Sequence, residues 1–203
     1  MRIGVDFDNT IACYEGMFFE GAREKNWIPD NIGRSKTEVR DYLRLAGKED
    51  LWTELQGIVY GPLMSKAQPF PGVLDFFHCC RKKRIPVYIV SHRTQTPYLG
   101  EPFNLHQAAY DWIQSQGLIG DNIYGISPTN VFFELTKSEK LERISNLGCT
   151  HFIDDLPEFL EDASFPEMTE RILFDPTGRN AKQCCFPCFR SWHELIQHLG
   201  IGS

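Results

Sequence analysis

The chain of 203 residues has no long hydrophobic run: nowhere does apolar sequence approach the roughly 20 residues that a helix needs to cross a bilayer. Nor does it open with a basic stretch followed by an apolar one, as a targeting segment would. It has little clustered basic charge. Lys and Arg number 21 against 27 Asp and Glu, a net charge of −6, and the densest basic block is "RKKR" at 81–84, which reads as the charged end of a helix. A nucleic-acid-binding surface is thereby disfavoured. Seven cysteines, at 13, 79, 80, 149, 184, 185 and 188, are odd in number and lack the regular spacing of a small secreted scaffold, so they read as reduced thiols. There are no internal repeats and no low-complexity tracts. These absences predict a soluble, cytoplasmic protein with neither membrane nor nucleic acid as partner.

What is present is ordinary globular material, 42% hydrophobic and 24% charged, enough for one sizeable core. Short apolar runs recur along the chain: "RIGVDF" at the start, "IPVYIVS" at 85–91, "NVFFEL" at 130–135, "THFIDD" at 150–155 and "RILFD" at 171–175. Helical patterns separate them. Pro71 and Gly72 open one helix, Leu105 to Gln116 forms another, Thr136 with Glu139 makes a capping box for a third, and "SWHELIQHL" closes the series. Strands alternating with helices predict an α/β fold, a parallel sheet covered on both faces.

Between Tyr14 and Gln68 the strand-like runs stop, and three helical segments follow: "EGMFFEGAREKN", "SKTEVRDYLRLAG" and "EDLWTELQGIVYGPLM". The expected organisation is an α/β core of residues 1–13 and 70–203 with a helical insertion over 14–69, a lid above the carboxyl edge of the sheet. "SHRTQTPYLGEPFNLH", from Ser91 to His106, is longer than usual for a strand-to-helix connection and is a candidate substrate loop. Within it His92 and Arg93 are candidates for contact with an anionic group. On the insertion, Arg23, Arg40 and Arg44 either face a substrate or form an ordinary charged helix surface.

Ligands of open parallel sheets bind outside the carboxyl ends of the strands, and the polar residues gather there. Asp6 and Asp8 close the first strand, Ser91 ends "VYIVS", Lys137 follows "FFELT", and Asp154 and Asp155 end "THFI". Carboxylates brought so close repel one another unless a cation sits among them, and a purely oxygen donor set points to Mg²⁺. A lysine and a serine opposite the metal could hold phosphoryl oxygens, leaving one aspartate to attack phosphorus and its neighbour to move the proton.

The set "DFDNT", Ser91, Lys137 and Asp154–Asp155, in that order, resembles the four signature motifs of the haloacid dehalogenase-like (HAD) superfamily of phosphotransferases. The resemblance covers residues 1–13 and 70 to about 200, and the insertion looks like that superfamily's helical cap. It implies a Rossmann-like core, a phosphatase with Mg²⁺ as cofactor and a small phosphorylated substrate. By it Asp6 is the nucleophile that becomes an aspartyl-phosphate, and Asp8 is the general acid/base. Asn9, Thr10, Ser91, His92 and Lys137 serve the phosphate, and Asp6, Asp8, Asp154 and Asp155 the metal. Lys140, one turn further on the same helix face, is the alternative to Lys137, which is preferred for lying nearest the strand end. Members that cleave carbon–halogen bonds lack the acid at the position of Asp8, which favours a phosphatase or a phosphomutase; a non-catalytic phosphate-binding module is the reading from another class.

Two competitors fit less well. A phospho-accepting receiver domain has its acidic pair adjacent and its phosphorylated aspartate on a middle strand, and has no place for a helical insertion. Cys185, Cys188, His193 and His198 are spaced like a zinc knuckle, but the two histidines fall five positions apart on the last helix, about 140° around its axis, where they cannot share a metal.

Overall fold

Three residues of the opening run, Ile3–Val5 (β1), are wholly buried and carry a parallel strand on each side. In the computed structural model of the protein, residues 1–120, 124–179 and 185–202 are described. From β1 the chain runs through β2 (Ala12–Cys13), the helices α1 (Met17–Glu24), α2 (Lys36–Leu45) and α3 (Glu49–Tyr60), and β3 (Gln68–Pro69). Then follow α4 (Val73–Lys82), β4 (Val87–His92), α5 (Leu105–Ser115), β5 (Val131–Glu134) and α6 (Lys137–Asn146). The chain ends with β6 (His151–Asp154), α7 (Pro157–Leu160), β7 (Glu170–Phe174), β8 (Cys188–Phe189) and α8 (Trp192–His198).

The six-stranded sheet has the order β5-β4-β1-β6-β7-β8, and every pairing is parallel. The α/β reading is thus correct, with one strand, β8, that is too short to leave an apolar signature. The strand order reverses at β1, so the carboxyl ends of β1, β4 and β6 flank the switch point where such sheets bind ligands. One face of the sheet is covered by Leu141, Ile144, Phe159, Leu160 and Phe165 around Phe152, Val90 and Leu173. Elsewhere Trp192 of α8 packs against Phe76 of α4, ring centroids 4.8 Å apart, and its indole N–H donates to the carbonyl of Thr10 at 3.2 Å. Gly4 has a steric reason: a Cβ there would fall 2.5 Å from the Phe152 ring, so only glycine lets that ring lie against β1.

The chain divides into two units, Met1–Ala12, Pro69–His92 and Gln116–Ser203 in the first, Cys13–Gln68 and Arg93–Ser115 in the second. The second takes up residues 93–115, which the sequence had suggested for the core. The reason is packing: the Trp112 indole N–H donates to the carbonyl of Ala67 at 2.9 Å, and the buried Arg93 guanidinium donates to the carbonyls of Tyr60 at 2.9 Å and Leu105 at 3.2 Å. Within this unit Phe18 stacks on Trp52, and Val39, Leu43, Leu55, Val59, Ala109 and Ile113 are also buried. Among the described residues no helix is long and apolar enough to cross a membrane.

Candidate active site

The loop after β1 carries its two carboxylates between buried apolar anchors. Phe7 and Ile11 are fully buried, and the amides of Ile11 and Ala12 both donate to the carbonyl of Phe7. Asn9 takes a left-handed conformation (φ 55°), which asparagine tolerates, and its amide donates to the carbonyl of Ala12 at 2.9 Å. The turn therefore closes on itself, with Asp6 buried at one end and Asp8 half-buried at its tip. Thr10 is fully buried, and its hydroxyl has no hydrogen-bond partner among the described residues.

Asp154, the last residue of β6, is wholly buried and accepts at Oδ1 from the amide of Leu156, which fixes its carboxylate. Asp6, Asp154 and the half-buried Asp155 each present an oxygen within 4.8 Å of the others. Burial pushes the Asp6 carboxyl up to about 7; the Lys140 ammonium opposes that shift, and the charges of Asp154 and Asp8 reinforce it. This donor set, three hard oxygens with too little positive charge among them, fits a divalent cation of the Mg²⁺ type. Ser91, buried near the end of β4, lies beside β1 at the same edge.

The lysine is Lys140. Its Nζ donates to Asp6 Oδ1 and to Asp154 Oδ2, both at 2.6 Å, and the side chain is only 3% exposed. Burial alone would lower its pKa, but the carboxylates of Asp154 and Asp6 hold the amine charged, above the ordinary lysine value. Lys137, preferred from sequence for its closeness to the strand end, instead pairs with Asp162 at 2.8 Å and donates to the carbonyl of Glu158. The physical reason is the tilt of Cα–Cβ bonds toward a helix N-terminus: a long side chain covers the turn before its own Cα, so Lys140 reaches back over the first turn to the strand ends. The capping box of Thr136 and Glu139 starts that helix where the sequence pattern places it.

Other candidates fall elsewhere. His92 is exposed, because side chains alternate along β4, and its Nε2 sits 3.1 Å from the carbonyl of Leu135. Arg93 binds main-chain carbonyls inside the second unit, as described above. Arg23, Arg40 and Arg44 pair with their sequence neighbours Glu20, Asp41 and Glu49. Of the histidines in the knuckle-like pattern, His193 contacts Gln197 and His198 contacts Glu170; Cys184 lies outside the described residues. Asp175, at the end of β7, is a buried acid that sequence reading passed over although it closes "RILFD"; it accepts from the Thr177 hydroxyl at 2.9 Å.

No family model matches the chain. It is 20% identical, over 98% of its length and 98% of the other's, to a curated protein of Oceanobacillus iheyensis named "Putative nucleotidase OB0422". Solved structures share the fold. A HAD family hydrolase from Deinococcus radiodurans, solved with bound phosphate and sodium, superposes with a TM-score of 0.59 at 14% identity, covering 98% of this chain and 96% of that one. A phosphoserine phosphohydrolase-like protein from Francisella tularensis gives 0.54 at 15% identity over 98% and 99% of the two chains. A HAD-hydrolase from Bacillus subtilis bound to magnesium gives 0.52 at 13% over 98% and 97%. The chain has the fold of the HAD-superfamily hydrolases.

Proposed function

We propose that the protein is a Mg²⁺-dependent phosphatase of small phosphorylated metabolites that works through an aspartyl-phosphate. The observation that carries this reading is the buried triangle of Asp6, Asp154 and the Lys140 ammonium at the switch point of the sheet. Asp6 and Lys140 are 134 positions apart in sequence, and nothing in the stability of the fold calls for a buried charge cluster there. The phosphate and the magnesium held by two proteins of the same fold support it.

In this reading a carboxylate oxygen of Asp6 attacks phosphorus, forming the new P–O bond while the bond to the leaving alkoxide breaks. Asp8 gives its proton to that alkoxide, then as carboxylate takes a proton from the water that attacks the same phosphorus and frees the Asp6 carboxylate. Lys140 and Ser91 hold the phosphoryl oxygens, and Lys140 keeps Asp6 from being fixed as a neutral acid. Asp6, Asp154, Asp155 and the carbonyl of Asp8 would hold Mg²⁺, which supplies charge neutralisation to the transferring group.

The test is release of inorganic phosphate from nucleoside monophosphates, phosphoserine, sugar phosphates and p-nitrophenyl phosphate, with Mg²⁺ and with a chelator. Nucleotides and phosphoserine head the panel because of the names of the Oceanobacillus and Francisella proteins. Metal-dependent release that falls on the order of 10⁴-fold in Asp6→Asn is expected; release indifferent to both would contradict the reading.

A further inference from the structure

The Lys140 ammonium has three protons and, at 3% exposure, little water to receive them. Two go to Asp6 and Asp154. For the third, no oxygen or nitrogen acceptor is found among the described residues. Aromatic rings are there instead: Nζ lies 4.1 Å from the centroid of Phe159 and 5.3 Å from that of Phe152. A cation this close to a ring face is drawn by the negative face of the quadrupole, most strongly where water is excluded.

We propose that Phe159 is a positioning residue of the site, its ring face holding the Lys140 ammonium against Asp6 and Asp154. The fold locks the ring. Phe159 sits on α7, opened by Pro157 two residues after Asp155, and Phe152 and Phe165 flank it at 5.9 and 5.8 Å between centroids. Phe152 in turn occupies the space left by the missing side chain of Gly4. Without the ring the ammonium keeps its two carboxylate bonds but loses what restrains it on the remaining side. Lys137 lies 5.8 Å from the same ring yet is tied to Asp162, so it does not compete for the carboxylates.

The effect on turnover rests on the phosphatase reading, whereas the contact itself does not, so the experiment reads both. Phe159 is replaced by phenylalanines carrying one, two and three fluorines, which weaken the ring face while nearly keeping shape and packing. Exchange of the Lys140 ammonium protons in the ¹⁵N-lysine-labelled protein, followed by NMR, is expected to speed up stepwise along the series. kcat/KM for p-nitrophenyl phosphate with Mg²⁺ is expected to fall stepwise, by about tenfold at three fluorines, with the melting temperature unchanged. Phe159→Trp keeps the activity that Phe159→Leu loses. Exchange rates flat across the series would overturn the proposal, as would graded exchange with flat turnover. Graded exchange in a protein that cleaves no phosphate ester would uphold Phe159 as the support of Lys140 and refute the phosphatase reading alone.

Discussion

Charged side chains behave in opposite ways in the two units. At the carboxyl edge of the sheet, Asp6, Lys140 and Asp154 are buried and drawn from distant parts of the chain, 134 and 14 positions from one another. On the helical unit, Arg23 and Arg44 are exposed and Arg40 partly so, and each pairs with an acid one to five positions away. Exposed local pairs contribute little and are lost in screening. Buried charges gathered over long distances are expensive to assemble, and a fold keeps them where chemistry needs them. Arg93 is the instructive exception: buried in the helical unit, it donates to carbonyls of Tyr60 and Leu105, with its guanidinium 5.2 Å from the Tyr60 ring centroid, and so holds loop to helix.

The largest effect that would break this contrast concerns the two lysines of α6. Lys140→Met should lower kcat about 100-fold, while Lys137→Met should leave it about unchanged; steady-state kinetics on any substrate of the panel decides, and equal losses would erase the distinction. Next, Arg93→Met should destabilise the protein by about 2–3 kcal/mol, read in urea unfolding, because buried carbonyls lose their donor.

A smaller effect is in pH. The raised pKa of Asp6 means that the folded, metal-free protein binds a proton between 3.8 and about 7 that the unfolded chain releases. That contribution to stability is complete below the lower value and is lost as pH rises through about 7. The melting temperature without metal should therefore fall between pH 5 and 8 more than that of Asp6→Asn, and less when Mg²⁺ is in excess. The smallest expected change is none: Arg44→Ala, which removes a surface pair with Glu49, should leave the melting temperature where it was.

Much of this was legible in sequence because the signals are local. Apolar runs of β-branched and aromatic residues mark β1, β4, β5, β6 and β7, the capping box marks the start of α6, and the acids at strand ends mark the edge where they meet. What escaped depended on direction or on distant packing. Lys137 and Lys140 sit on nearly the same helix face, and only the backward lean of side chains along a helix decides between them. Residues 93–115 read as core because they follow β4, yet Trp112 and Arg93 find their partners at Ala67 and Tyr60, far away in sequence. β8, two residues long, is held by its pairing with β7 rather than by any pattern of its own. Phe159 gave no signal at all, since one aromatic after "DDLPE" looks the same whether it fills a core or supports an ammonium.

The central claim is that phosphorus passes through Asp6, and the stereochemical course at phosphorus tests it most directly. With a phosphorothioate ester made chiral at phosphorus by sulfur and two oxygen isotopes and hydrolysed in water carrying the third, the thiophosphate released is chiral, and two successive in-line displacements, first by Asp6 and then by water, give net retention of configuration. Retention is the predicted result. Inversion would mean a single direct attack by water and would contradict the aspartyl-phosphate account.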